Sequence, residues 1–270
     1  MSRRKISLSK DILEKMYWTE NLSPYKIGDI FGCSFSTITN RMREFGIKFK
    51  NHSLARQKYP RSNFSDDILE KSYMFGFRVG DLSVYKTNPR SEFIVVRCHT
   101  TTVDQVKVLE KMFGKYGRVT VSLSGDNNFH INCFLNDSFT FLLGKYPDMS
   151  QFTGAEQIYA FIAGYSDAEG YFGINQGKAR FKIDSYDEVV MKWIGDNLAR
   201  LGIRNIVKII SICRDKRNFG AKLYRLNVNY GADLLKLIDN IKKYCLHKTR
   251  INQMRICRKN IVKRIENGSI

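Results

Sequence analysis

The stretch Tyr73-Met-Phe-Gly76-Phe-Arg-Val-Gly80-Asp81 is matched 88 residues later by Phe161-Ile-Ala-Gly164-Tyr-Ser-Asp167-Ala168-Glu169-Gly170. Each stretch begins as an apolar run of helical character and places two small residues four positions apart. Residues four apart lie on one face of a helix, so both helices are predicted to present a face with almost no side chain. Two such faces allow helices to approach backbone to backbone.

Each stretch ends in a carboxylate, Asp81 in the first and Glu169 in the second. If the helices pack through their small faces, the two acids lie together at two helix C-termini. Negative charge there opposes the helix dipole, and two carboxylates at one site repel each other. The pair therefore predicts a bound cation. A buried helix that ends in a turn is the simpler alternative, but the repeat with its matched acids favours the paired arrangement.

At these residues the chain resembles the LAGLIDADG homing endonucleases that carry two motif helices in one polypeptide. The second copy, IAGYSDAEG, is the better match. The first copy, MFGFRVGDL, has Arg78 and Val79 inside it and Leu82 where a glycine usually follows the acid. The resemblance implies an α+β fold in which two pseudo-symmetric αββαββα halves form a DNA-binding saddle, with the motif helices where the halves meet.

The order of helical and strand-like segments agrees with that fold. The pattern predicts the first half over residues 66–149, closed by a helix around Phe139, and the second half over 150–270, ending in a basic helix. Because two internal halves already supply twofold pseudo-symmetry, we expect a monomer.

Three short helices are predicted before the repeat, and together they make a small all-α domain over residues 1–46. Ser23 and Pro24 begin the second helix, Gly32 ends it, and Ser34 or Ser36 caps the third. This order is typical of a helix-turn-helix DNA-binding domain, and a three-helix bundle for protein contact is the alternative. The outward residues of the third helix suited to bases and phosphates are Ser36, Thr37, Asn40, Arg41 and Arg43.

Charge points to a polyanionic partner. The 270 residues include 45 Lys and Arg against 26 Asp and Glu, a formal net charge of +19, which suits DNA, RNA or an anionic membrane. Residues 47–65 contain five cations and no acid and are predicted to be a basic linker. No apolar run is long enough to span a membrane, and no secretion signal is recognisable. We expect a cytoplasmic or organellar, nucleoid-associated protein with reduced cysteines.

Alternation along the predicted strands sends every second side chain to one face. The polar and basic strand residues expected to line a DNA groove are Tyr85, Arg97, Asn175, Arg180, Lys182, Lys222 and Arg225.

The resemblance also implies the chemistry, which is metal-dependent hydrolysis of both strands of a specific DNA site, as in intron homing. It assigns Mg2+ to the two acids, Asp81 and Glu169, with the neighbouring Gly80 and Ala168, and a catalytic lysine to Lys248. Two alternatives stay open. One is a non-catalytic DNA-binding transcriptional regulator on the same scaffold, and the other is a maturase that binds intron RNA.

Overall fold

The computed structural model describes residues 8–50, 59–125, 128–214 and 219–269. The chain forms two compact units, Met1–Lys58 and Tyr59–Ile270. The predicted linker falls partly on residues 51–58, which lie outside the described residues. Within the described ranges, no helix combines the length and the apolar character needed to cross a membrane.

The first unit consists of short helices around a small core. The helices are α1 (Lys10–Glu14), a π-helical turn (Lys15–Thr19), α2 (Pro24–Phe31) and α3 (Phe35–Glu44). Ser23 and Ser34 cap α2 and α3 by accepting backbone N–H bonds, and Gly32 ends α2 with φ 63°. Only one continuous helix was expected before α2. The structure instead widens it at the π turn, where the N–H of Glu20 reaches the carbonyl of Lys15.

The second unit contains two successive halves. The first half comprises α4 (Ile68–Asp81), β1 (Ser83–Tyr85), β2 (Ile94–Thr100), α5 (Val103–Phe113), β3 (Arg118–Ser124), β4 (Asn128–Leu135) and two 3-10 turns (Asp137–Leu142 and Met149–Gln151). The second half comprises α6 (Ala155–Glu169), β5 (Gly170–Asn175), β6 (Lys178–Ser185), α7 (Glu188–Arg200), β7 (Ile206–Ile212), β8 (Lys222–Val228), α8 (Gly231–Ile241) and α9 (Lys248–Glu266).

The two halves share one topology. Their sheets are fully antiparallel, with strand orders β1-β2-β4-β3 and β5-β6-β8-β7. This confirms the α+β class and the duplicated half. The first half departs from the prediction at its end, where a short 3-10 helix replaces the α-helix expected around Phe139. Gly144 and Pro147 follow closely, and neither residue favours continuing a helix.

Helices α4 and α6 pack against each other through their glycines. A Cβ atom placed on Gly76 would lie 2.0 Å from the carbonyl oxygen of Phe161, and one on Gly164 would lie 2.1 Å from that of Tyr73. Neither distance is possible for a real carbon atom, so only glycine permits this approach. The faces without side chains that the sequence predicts are therefore the contact between the two halves.

Arg78 explains why the first motif tolerates a cation inside it. The side chain is buried, its Nε donates to the carbonyl of Leu142 at 3.0 Å, and its Nη1 donates to the carbonyl of Leu82. Lys, Arg and His near a helix C-terminus satisfy its last carbonyls. Arg78 thus fixes the end of α4, directly beside Asp81.

The core of the second unit extends into the segment predicted to be a linker. Phe64 is buried among aromatic rings of the first half, and its backbone N–H donates to the Ser138 hydroxyl at 2.8 Å. The N–H of Ser62 donates to the carbonyl of Tyr116 at 2.9 Å. Residues 62–64 are therefore part of the packed fold.

Helix α9 packs across the β5–β6 hairpin and contacts both of its strands. Gln253 accepts from the N–H of Phe172 at 3.4 Å, and Asn260 accepts from the N–H of Ala179 at 3.1 Å. Between them, the Cys257 thiol points to the carbonyl of Gly173 at 3.6 Å. These three side chains follow one face of α9, and they satisfy backbone groups that no neighbouring strand reaches.

Candidate active site and nucleic-acid interface

The two acids end the two packed helices. Asp81 is the last residue of α4, and Glu169 is the last residue of α6. A Cβ atom placed on Gly80 would lie 2.6 Å from the Cβ of Ala168 and 3.3 Å from the Cγ of Glu169. Glycine at position 80 is therefore what lets the helix ends meet at the acids.

A cleft of about 400 Å³ opens at this junction. Its walls include Gly80 and Glu169 from the helix ends and Lys145 from the segment after β4. The cleft leaves Glu169 exposed, whereas Asp81 is half-buried. A ligand that enters the cleft thus meets one accessible carboxylate and a flexible cation.

Asp81 is held by neutral donors. The side-chain amide of Gln105, in the first turn of α5, donates to its Oδ2, and the Cys98 thiol from β2 points to the same oxygen at 3.6 Å. Loss of water around it raises the pKa of Asp81, and the Gln105 and Cys98 hydrogen bonds and the nearby His99 oppose that rise. The amide therefore fixes the orientation of the Asp81 carboxylate.

Glu169 has a different electrostatic environment. The surrounding protein displaces part of its water and raises its pKa, the negative charge of Asp81 raises it further, and Arg250 and Lys145 act in the opposite direction. Within the described ranges, no ion pair joins either acid to a cation. The two acids therefore repel each other without a counter-ion in contact.

This donor set suits a hard divalent cation. Mg2+ and Ca2+ prefer carboxylate and carbonyl oxygens, and Mg2+ usually takes one or two carboxylates together with water and substrate phosphates. In the described part of the chain, no group of three or more His, Cys, Asp or Glu side chains is arranged so that it could hold a metal ion by itself. Backbone atoms at Gly80 and Ala168 lie next to the acids in sequence. The remaining ligands of a bound cation would have to come from water and phosphate.

Burial of the two acids, together with the charge of Asp81 beside Glu169, has a measurable effect on stability. Because the pKa of Asp81 and that of Glu169 are raised in the folded state, folding becomes less favourable as pH rises from the usual carboxyl range through those raised values. Asp81→Asn and Glu169→Gln should each raise Tm at pH 7 in EDTA by about 2 to 4 °C, and the gain should disappear at about pH 4, where both carboxyls bind protons.

Thermal unfolding by circular dichroism measures this effect. Asp148→Asn is a matched control because hydrogen bonds from Ser150 lower the pKa of Asp148. It should lower Tm at pH 7. A lower Tm for both active-site amide variants would contradict the raised pKa values of Asp81 and Glu169.

The lysine predicted for the site, Lys248, stays a prediction. Lys248 is the first residue of α9 and its side chain is exposed, and no contact joins it to Asp81 or Glu169 in the described residues. The cations whose charge acts on Glu169 are Lys145 and Arg250.

The outward face of the second sheet brings together most of its predicted groove residues. Asn175, Arg180, Lys182 and Arg225 line one open cleft of about 470 Å³, with Tyr171, Asn227 and Asn229. Lys182 lies 5.3 Å from the centre of the Tyr171 ring. The same cleft thus offers cations, amides and an aromatic face.

Two of the cations on this face already have partners. The Nε and Nη2 atoms of Arg225 donate to the two oxygens of the Asp184 carboxylate, each at 2.6 Å. Arg180 donates to the carbonyl of Asn229 at 3.0 Å. Lys222 lies on the opposite side of β8 from Arg225, the side of buried Tyr224. The structure therefore does not bring Lys222 to the predicted groove.

The outward face of the first sheet carries Arg97 and Tyr85. The Arg97 guanidinium lies 5.4 Å from the Tyr85 ring centre and donates to the Asn132 side chain at 3.0 Å. Directly opposed His99 and His130 continue this face, with ring centres 4.3 Å apart. Asn132, His99 and His130 add hydrogen-bonding groups to the predicted pair.

Helix α3 of the first unit exposes most of its predicted DNA-contacting residues. Ser36, Thr37, Asn40 and Arg43 are exposed and Arg41 is half-buried. Several are already bonded to each other or to neighbours, since Arg43 donates to Asn40 and Arg41 to Glu44, both at 2.9 Å. Hydrogen bonds of this length hold the two guanidinium groups along the helix surface.

Sequence reasoning missed Gln105, Cys98 and Arg250. Each of these residues belongs to another element that packs against the motif helices. No local sequence pattern therefore predicts that it lies near the acids. A polar Gln105 on the apolar face of α5, where Leu109 and Met112 are buried, is the one signal that the sequence offers.

Comparison with known proteins gives a family match. Residues 156–242 match the model of the LAGLIDADG-like domain. No curated protein matches the chain. Among solved structures, "The crystal structure of I-DmoI in complex with DNA and Mn" is 18% identical with a TM-score of 0.47, covering 64% of this chain and 96% of that one.

Two further similar structures come from a different protein. The N-terminal LAGLIDADG domain of DUF199/WhiA is 16% identical with a TM-score of 0.43, covering 66% of this chain and 83% of that one. Full-length DUF199/WhiA from Thermatoga maritima is 15% identical with a TM-score of 0.45, covering 77% and 69%. The family match itself spans α6 to α8, the part of the chain with the better motif copy. Residues 156–242 thus form a LAGLIDADG-like domain, which confirms the resemblance that the paired motifs suggested.

Proposed function

We propose that this protein is a site-specific double-strand DNA endonuclease that needs a divalent cation, in line with the homing endonucleases it resembles. One observation carries the proposal: Asp81 and Glu169 end two helices that meet through glycine, and among the described residues no cation forms an ion pair with either acid. A purely structural helix contact gains nothing from two repelling carboxylates.

The side chains present fit this reaction. Asp81 and Glu169 would hold Mg2+ or a similar ion, which supplies Lewis-acid stabilisation of the phosphate and lowers the pKa of water. Gln105 keeps Asp81 in one orientation through its amide bond. Lys145, on the wall of the same cleft, places a positive charge where phosphate oxygens gain negative charge.

DNA binding would use the outward faces of both sheets. Cations would come from the cleft that contains Arg180 and Lys182 and from the face that contains Arg97. Groups that can contact base edges and sugars would come from Asn175 and Tyr85. We assign residues 1–46 as a helix-turn-helix domain that adds a second DNA contact through α3, and we assign a monomer as the active form. Affinity should fall steeply with salt because most of these contacts are to phosphate.

A cleavage screen tests the proposal. The purified full-length protein is incubated with a plasmid library that carries a randomised insert, with Mg2+, and the ends produced are sequenced. Enrichment of one site with defined breaks in both strands is the expected result. Tight DNA binding with no breaks would indicate the regulator instead, and preference for structured intron RNA over duplex DNA would indicate the maturase.

A further inference from the structure

We propose that His99 and His130 form a binding site for Zn2+ or a similar transition-metal ion, separate from the paired acids. The two histidines lie on neighbouring strands of the first sheet, β2 and β4, and the register places them directly opposite each other. Imidazole nitrogen is a ligand that suits Zn2+, Cu2+ and Ni2+. The inference goes beyond the proposed nuclease function and does not depend on it.

Strand pairing brings the two rings together. Directly opposed residues of an antiparallel pair have their Cβ atoms about 4.5 to 5.5 Å apart, and the ring centres of His99 and His130 are 4.3 Å apart. The ring planes are inclined by 53°, so the rings are not stacked face to face. Rings this close are within reach of one ion, since each Zn–N bond is about 2.0 to 2.1 Å long.

The backbone that carries the pair is fixed. Strand β2 lies between β1 and β4, and β4 lies between β2 and β3, so both strands are internal to the sheet. The adjacent opposed pair, Cys98 and Ile131, is buried. On the outward face, Arg97 donates to the opposed Asn132 at 3.0 Å. A slip of one residue would bury polar groups, so the register that opposes the two histidines is strongly specified.

Both imidazoles are accessible from solvent. His99 is exposed and His130 is half-buried. The Cys98 thiol points to the carbonyl of His99, and the Ser122 hydroxyl donates to the carbonyl of His130. These contacts engage the main chain, and within the described ranges no hydrogen bond engages a ring nitrogen of either histidine. An ion can therefore bind without breaking a hydrogen bond of the protein.

The protein supplies two ligands of this site. Cys98 and Cys133 are buried on the other face of the sheet, so no thiolate joins the pair, and the described residues offer no group of three metal-binding side chains. Zn2+ takes four ligands in most protein sites, so water would complete its coordination here. Mg2+ and Ca2+ prefer oxygen ligands. The histidine pair and the paired acids should thus select different ions.

NMR of the histidine side chains during a Zn2+ titration tests the site. The chain has four histidines, so the full-length protein with isotope-labelled histidine gives few imidazole signals. We expect Zn2+ to shift the signals of His99 and His130 with one common midpoint. Mg2+ at the same concentrations should shift neither signal. The variants His99→Gln and His130→Gln assign the two signals.

The same variants distinguish a shared ion from two independent rings. If one ion bridges the pair, removal of either histidine should raise the Zn2+ midpoint of the other by about tenfold or more, because even the loss of an outer-shell partner costs 10- to 100-fold in affinity. His52→Gln, the same substitution at a histidine outside the described residues, is the matched control and should leave the midpoint unchanged.

Three results would overturn the site. They are different midpoints for His99 and His130 in the wild type, an unchanged midpoint for His130 in His99→Gln, and the absence of any shift of either signal up to about 1 mM Zn2+. The wild-type titration needs no substitution, so the test does not depend on how well a variant folds. DNA cleavage is not part of the readout, and failure of the nuclease proposal would leave this test intact.

Discussion

Replacing Asp81 with asparagine is expected to abolish DNA cleavage and to leave DNA binding intact. The substitution keeps the size of the side chain and removes the charge that, in the proposed mechanism, would hold a cation. Loss of several kcal/mol of transition-state stabilisation predicts a fall in rate of at least about 10³-fold, because each 1.36 kcal/mol is a factor of ten. Glu169→Gln should have the same effect. The rates are measured on the duplex recovered from the library screen.

Binding of both variants should equal or exceed that of wild type, since each loses a negative charge near phosphate. Gel-shift titration in Ca2+ measures this. Asp148→Asn, an exposed acid away from the cleft, should cut at the wild-type rate and serves as the control. Undiminished cleavage by either active-site variant would rule out the two-carboxylate mechanism.

Gly164→Val is expected to unfold the second unit or to destabilise it severely. Even an added Cβ atom would lie 2.1 Å from the carbonyl oxygen of Tyr73 and 3.0 Å from the N–H nitrogen of Phe77. The obstacle is the backbone of a packed helix, which cannot rotate away as a side chain can. We expect a loss of about 3 kcal/mol or more in the free energy of unfolding, at the upper end of overpacking costs.

Urea denaturation followed by tryptophan fluorescence measures that loss. Gly125→Ala is the matched control, because a Cβ atom there meets nothing within 4 Å and should change stability by less than about 0.5 kcal/mol. Retention of wild-type stability in Gly164→Val would mean that α4 and α6 are not held at backbone contact.

The helix contact and the position of the acids could be predicted because both follow from the local sequence pattern. Gly76 and Gly80 are four positions apart, as are Gly164 and Ala168, which places each pair on one helix face. The repeat shows which residues of the two copies correspond. The acids follow the apolar runs directly in sequence, so no information about distant packing is needed to place them.

The assignment of Lys248 stays a prediction, because its position relative to the acids depends on information that the sequence does not contain. Residues 248 and 250 are two positions apart on one helix, which turns about 200° between them. Whether the acids face one residue or the other depends on the rotation of α9. The bonds of Asp167 and Asp104 with residues 246–249 set that rotation, and these partners come from 79 to 145 positions earlier in the chain.

Gln105 and Lys222 also show what could not be predicted from the sequence, one on a helix and one on a strand. Gln105 meets Asp81 because α5 lies across β2 and β4, a contact that single-strand periodicity does not reveal. Lys222 was grouped with Arg225 because both are cations of one predicted strand, yet an odd separation along a strand places two side chains on opposite faces. The odd number of positions between residues 222 and 225 would have assigned them to opposite faces of the sheet.

The contact of α9 with the β5–β6 hairpin bears on whether this sheet can pair with strands of other molecules. Without Gln253 and Asn260, the N–H groups of Phe172 and Ala179 would face solvent on an uncapped strand margin, and such margins recruit strands from other molecules. In a chain shortened before Lys248, the N–H of Phe172 on the outermost strand β5 would be open to pairing with a strand of another molecule.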